Sequence, residues 1–132
     1  MSFDTTAIKT HQSISNELCG CPEHLEDGAS RVVLLCKENM AADASGLVHG
    51  GFIFGLADYA AMIAVNHPNV VLGASETRFL MPVRVGETAC AQARVRQNEG
   101  KKRVADVVVT RGEDKVFEGT FTCFVLDRHV LG

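Results

Sequence analysis

The sequence predicts an α+β domain in which an antiparallel sheet wraps around one long apolar helix. Two observations carry this expectation. Residues 50–65, GGFIFGLADYAAMIAV, are apolar or small at nearly every position and contain no proline. That run is too long for one strand and right for about four turns of helix. After it come four stretches of strand character separated by turn residues. A helix that is apolar all round has to be enclosed on most of its sides, and a curled sheet can enclose it.

The chain has 132 residues and a formal net charge of −3, which suits one domain and gives no global attraction to nucleic acid or to a membrane surface. It has no Trp and only one Tyr, so a base-stacking surface is not expected. The apolar run is shorter than the roughly 20 residues of a bilayer span, and Asp58 interrupts it. The five cysteines form no C-x-x-C pair, and their odd number together with the absence of a signal peptide points to a reduced, cytoplasmic setting. Cys36, Cys90 and Cys123 read as small core residues, and Cys19 and Cys21 as loop or helix-end residues.

Taken in order, residues 1–25 form a polar N-terminal segment with a short helix at 13–18, closed by Gly20 and Pro22. Residues 26–132 form the single domain. Residues 26–37 read as one strand buried on both faces, and 38–48 as a loop with Asp43, Ser45 and Gly46 as turn formers. The long helix follows and ends at Asn66-His67-Pro68-Asn69. The strands at 70–82, 87–97, 103–111 and 115–126 are expected to form a four-strand meander. In the second of them Ala89, Ala91 and Ala93 share one face, which suits the close approach of a helix. A small sheet wrapped on one helix leaves an edge to cover, so a homodimer or a dimer of dimers is expected.

Asp58 is the one charge within the apolar run. Burial there raises its pKa, and an unpartnered charge is costly. It either holds register through a bond to backbone, Tyr59, Asn66 or a second chain, or it does chemistry. The N-terminus of the same helix offers free N–H groups, and Gly50 and Gly51 let a ligand atom approach them closely. Donors for a developing oxyanion, with a carboxylate that attacks or activates water, are what hydrolysis of an acyl group requires. His49 and Asp58 have neither metal-site spacing nor a third ligand, so no metal and no other cofactor is expected.

The pattern Gly46-Leu47-Val48-His49-Gly50-Gly51-Phe52, running on to Leu56-Ala57-Asp58, resembles the hotdog-fold acyl-CoA thioesterases, most of all the branch of the phenylacetate-pathway enzymes. The phrase from Arg78 through Pro82 to Glu87 is also similar to that fold, and the resemblance covers roughly residues 26–126. The end of the chain, from Val116 through Phe121 to Leu131, resembles the ligand domain of the malonyl-CoA-responsive fatty-acid repressors, which sense an acyl-CoA without consuming it.

The resemblance implies an acyl-CoA substrate and a paired site across two antiparallel helices. Asp58 of one chain is then general base or nucleophile, and the Gly50 N–H of the other polarises the carbonyl. His49 and Gly51 shape that loop. Asp43 stands where this branch often carries asparagine, and either faces the thioester or bonds the loop backbone. Glu76, Thr77 and Arg78 are candidates for placing water or meeting an acyl carboxylate. Lys101, Lys102 and Arg103, with Arg94 and Arg96, put five cations around one hairpin, a candidate clamp for coenzyme A phosphates. The alternative to the thioesterase is a non-catalytic module that binds acyl-CoA or an acyl carrier protein.

Overall fold

The structure, a computed structural model, describes residues 5–132. Its elements are α1 (Asn16–Cys19), β1 (Cys21–Glu26), β2 (Ala29–Leu35), α2 (Gly50–Val65), β3 (Val70–Phe79), β4 (Thr88–Glu99), β5 (Lys102–Arg111) and β6 (Asp114–Val125). Short 3-10 turns occupy Thr5–Ala7 and Glu38–Met40. The six strands form one antiparallel sheet in the order β1-β2-β4-β5-β6-β3, and its concave face holds α2. This is the hotdog fold.

The long helix forms where its composition predicts. Leu56, Ala57, Ala60, Ala61 and Ile63 lose all or nearly all contact with solvent. Their partners on the sheet are small. Ala89 and Ala91 of β4 are fully buried beneath the helix, which lets the two backbones approach closely. Ser30 ties the layers together by donating a 2.6 Å hydrogen bond to the Ala60 carbonyl inside the core. Asn66 ends the helix in the left-handed conformation (φ 55°), with its N–H on the Met62 carbonyl. Its side chain then accepts from Lys9 N–H and donates to the Ala7 carbonyl, which fastens the N-terminal segment to the end of α2.

Three expectations change. Residues 26–37 are not one strand. Asp27-Gly28 turns the chain, with Gly28 at φ +80°, and joins β1 to β2 as a hairpin. The sheet therefore begins at Cys21, inside the stretch 1–25 that composition separates from the domain. Second, β2 is buried on one face only: Val32 and Leu34 point into the core while Leu35 is 51% exposed, because one helix layer covers only one side of the sheet. Third, β3 does not join a meander with β4. It pairs with β6 at the far edge, so only β4, β5 and β6 follow one another in space.

Of the cysteines, Cys36 and Cys123 are buried, but Cys90 alternates with Ala89 and Ala91 and is half-buried on the other face of β4. All five are free thiols.

Gly20 joins α1 to β1 at φ +105°, where a Cβ would lie 2.7 Å from Val32 Cγ1 and 2.9 Å from Leu56 Cδ1. Both neighbours belong to the core. Replacing Gly20 with Ala is expected to cost about 2–4 kcal/mol of unfolding free energy through backbone strain and overpacking. Urea denaturation checks this, and a change below about 1 kcal/mol would show that the junction can shift freely.

Candidate functional site

The loop before α2 is held at both ends, and this sets where the helix begins. Val48 N–H bonds the Val83 carbonyl at 2.8 Å, Val85 N–H bonds Gly46 at 2.8 Å, and His49 N–H bonds Met40 at 2.9 Å. Asp43 sits inside this loop. Its Oδ1 accepts from Ser45 N–H (2.9 Å) and from the Ser45 hydroxyl (2.5 Å). These bonds hold its carboxyl below the ordinary range, the hydroxyl contributing most. Asp43 thus bonds the loop backbone.

His49 is the N-cap of α2. Its Nδ1 accepts from Gly51 N–H at 2.9 Å, so in this arrangement the ring proton sits on Nε2. Gly51 is required for this cap, because a Cβ there would lie 2.8 Å from the ring nitrogen. Gly50 N–H bonds none of the described residues. The Phe79 ring at the end of β3 stands beside it, 3.1 Å from where a Gly50 Cβ would be. Phe79 is 57% exposed and meets Phe117 edge to face at 5.1 Å.

On α2, Gly51, Gly55 and Asp58 fall at positions i, i+4 and i+7 and share one face, with Phe54 at its border. The sheet leaves this face partly open. Asp58 Oδ1 is nevertheless buried and has no hydrogen-bond partner among the described residues. Among the described residues, the bonds that would make Asp58 a register-holding residue within the chain are absent. Asn66 is committed to Lys9 and Ala7, and Tyr59 interacts with Asn16. Burial pushes the Asp58 carboxyl up to about 6. Its charge in turn helps raise two nearby thiols: Cys19, and Cys123, which is pushed up to about 12 chiefly by its own burial. Both therefore stay protonated at neutral pH.

The remaining candidates lie elsewhere. In the cross-strand register Glu76 stands beside Thr120 and Asp106, and Arg78 beside Glu118 and Val108, on the face of the sheet away from α2. Thr77 is on the inner face, where its Cγ2 lies 2.8 Å from the Cβ position of Gly119. Lys101, Lys102 and Arg103 occupy the β4–β5 hairpin at the end of the sheet nearest the C-terminus of α2: Val125 N–H bonds the Lys101 carbonyl, and Leu126 N–H bonds that of Asn69. Lys101 pairs with Asp127 at 2.8 Å, Arg103 donates to the Gly100 and Lys102 carbonyls, and Arg96 pairs with Asp106 at 2.8 Å. Sequence reasoning passed over Gly55, Phe54 and Phe79. The signal for Gly55 was its place one turn beyond Gly51 on the Asp58 face.

Among the described residues no helix is long and apolar enough to cross a membrane, and no three His, Cys, Asp or Glu side chains stand together as a metal site.

A six-stranded antiparallel sheet around one helix, with a free N–H at the helix N-terminus and a carboxylate farther along that has no partner among the described residues, defines a hotdog protein. Residues 45–118 match the thioesterase superfamily, and the chain belongs to it. It is 52% identical over 121 residues to the methylthioribose-1-phosphate isomerase of Aquifex aeolicus, a match covering 91% of this chain and 26% of that protein. It is 28% identical over 94 residues to the transcription factor FapR of Caldanaerobacter subterraneus, covering 71% of this chain and 47% of FapR. The chain thus spans between a quarter and a half of these relatives. Among solved structures, the uncharacterized protein PH1136 of Pyrococcus horikoshii superposes with a TM-score of 0.93 at 49% identity, covering 94% of this chain and 95% of that one. The Escherichia coli PaaI protein of the phenylacetic acid degradation operon gives 0.71 at 25% identity, covering 78% and 80%. The smu.793 protein of Streptococcus mutans, bound to acetyl CoA, gives 0.73 at 26% identity, covering 82% and 89%.

Proposed function

We propose that this protein is an acyl-CoA thioesterase that works as a homodimer, with Asp58 of one chain and Gly50 of the other serving each site. The observation that carries this reading is the buried, unpartnered Asp58 Oδ1 on the open face of a helix whose first N–H is also unpartnered. Within one chain the two are about 12 Å apart along the axis, too far to serve one carbonyl. A second copy with its helix antiparallel brings a donor to each carboxylate. The ten-residue edge strand β3, with Phe79, Leu80 and Met81 exposed at its end, is the edge suited to such pairing. The other edge, β1, is shorter and is interrupted at Pro22.

In the reaction, water gives a proton to Asp58 and its oxygen attacks the thioester carbonyl. The oxyanion that forms is held by Gly50 N–H. The C–S bond then breaks, and the coenzyme A sulfur leaves with the proton from Asp58. Direct attack by the carboxylate, with a mixed anhydride hydrolysed afterwards, uses the same two groups. His49 and the loop fastened by Asp43 position the donor. The binding of acetyl CoA by smu.793 supports a coenzyme A thioester as ligand, and five free thiols suit a cytoplasmic setting.

The test is coenzyme A release from a panel of acyl-CoAs, followed chromatographically, by wild type and Asp58→Asn. Release that persists in the variant overturns the assignment of Asp58. A second reading, a non-catalytic acyl-CoA sensor, rests on the similarity to FapR. Binding without release in wild type would favour it.

The β4–β5 hairpin supplies the coenzyme A clamp in this reading. The Lys101–Asp127 pair is exposed and weak, so Lys101 is free to turn to phosphate. Changing Lys101, Lys102 and Arg103 together to Ala is expected to raise KM for acyl-CoA by roughly tenfold at low salt, with the difference shrinking as salt rises. An unchanged KM removes the hairpin from the site.

A further inference from the structure

Gly55 is the glycine of α2 that its own chain does not explain. A Cβ at Gly51 would strike the His49 ring, and one at Gly50 would crowd Phe79. At Gly55 a Cβ would meet nothing within 4 Å. A glycine inside a helix is less stable than alanine at the same place, so its presence here needs a reason outside the chain. Two neighbours supply one. Asp58, on the same face, has its buried Oδ1 unpartnered. Phe54 lies tilted against Phe121 at 5.5 Å and edge to face with Phe117 at 6.5 Å, and is itself only partly buried.

We infer that the space over Gly55 holds the acyl chain of the thioester, that Gly55 sets the largest chain admitted, and that the acyl group is uncharged, with Phe54 as its wall. This rests on the acyl-thioester reading of the site. The lack of charge follows from the lining. Gly51, Phe54 and Gly55 on this face of α2 carry no cation, and Asp58 would repel an acyl carboxylate. Arg78, the cation that a dicarboxylic acyl group would need, lies on the opposite face of the sheet.

The experiment compares wild type with Gly55→Ala and Gly55→Leu on acetyl-, butanoyl-, hexanoyl- and octanoyl-CoA. It reads kcat/KM, the thermal midpoint and the sedimentation of each protein. Alanine is expected to raise the midpoint by a few degrees, since it is the better helix former and meets no obstacle. It is also expected to lower the ratio of long-chain to short-chain kcat/KM by roughly tenfold or more, and leucine further. A ratio unchanged within about twofold overturns the inference. So does dissociation of the leucine variant with no change of preference in the alanine variant, which would make Gly55 a contact between copies. Wild type that hydrolyses none of the four would overturn the catalytic reading instead. The same variants are then compared for binding of the matching thioether analogues. A shifted length preference would support the pocket, and an unshifted one would overturn it.

Discussion

Asp58→Asn is expected to reduce coenzyme A release by about 10²–10⁴-fold and, at the same time, to make the protein harder to unfold at pH 7. The two effects share one cause. The carboxyl is pushed up to about 6 in the folded chain from an ordinary value of 3.8, because burial disfavours the charged form. The folded state therefore holds this proton more tightly than the unfolded chain. Stability is greatest below the unfolded pKa. It falls as the pH rises from about 4 to about 6, then stays lower by at most about 3 kcal/mol. Solvent at the open helix face reduces that figure toward about 1–2 kcal/mol. Asparagine keeps the shape without the charge and escapes the penalty. In the proposed mechanism Asp58 acts ionised, so wild-type kcat/KM is expected to fall on the acid side with an inflection near pH 6. Urea melts at pH 4 and pH 7, set beside a pH–rate profile, test the pair of effects. A variant less stable at pH 7 would mean that the second copy donates to this carboxylate, and full activity would remove Asp58 from the chemistry.

The helix was legible because a 16-residue apolar run without proline has no other soluble solution. Strands β4, β5 and β6 were legible because polar and apolar residues alternate between turns centred on Gly100 and Gly112, both at positive φ. Strand β1 was not: Cys-Pro-Glu-His-Leu-Glu shows no alternation, and it is held by pairing with β2 rather than by a buried face. The place of β3 was hidden for a different reason. Which edge a strand joins depends on which edge the other strands leave free, and no local pattern carries that. Its facing depended on one bulge. A register shift between Leu72 and Ala74 decides which residues turn inward, and the outcome puts Thr77 toward α2 and Glu76 and Arg78 away from it. At the site, the sequence marked Asp58, His49, Gly50 and Gly51 as a group. It did not show that Asp58 lacks a partner, since that required Asn66 to be bound to the N-terminal segment and Tyr59 to Asn16.

Phe117→Ala is expected to lower unfolding free energy by about 3–5 kcal/mol, a large share of the roughly 5–15 kcal/mol that holds such a domain together. Phe117 is fully buried and lies at the centre of an aromatic group. Phe79 meets it edge to face at 5.1 Å and Phe54 edge to face at 6.5 Å, and Phe121 lies tilted against it at 6.4 Å. Removing the ring leaves a cavity between β6 and α2 and takes away edge-to-face contacts beyond the lost area. Phe79 then loses the contact that holds it beside Gly50, so the proposed donor end of the site is expected to loosen as the core weakens. Phe117→Leu keeps most of the volume and is expected to cost less than half as much. Urea denaturation of both variants tests the core. The activity of the leucine variant, which remains folded, tests the link to the site. A loss of kcat in that variant larger than its loss of stability explains would tie the aromatic group to the placement of the Gly50 donor, whereas proportionate losses would confine Phe117 to the core.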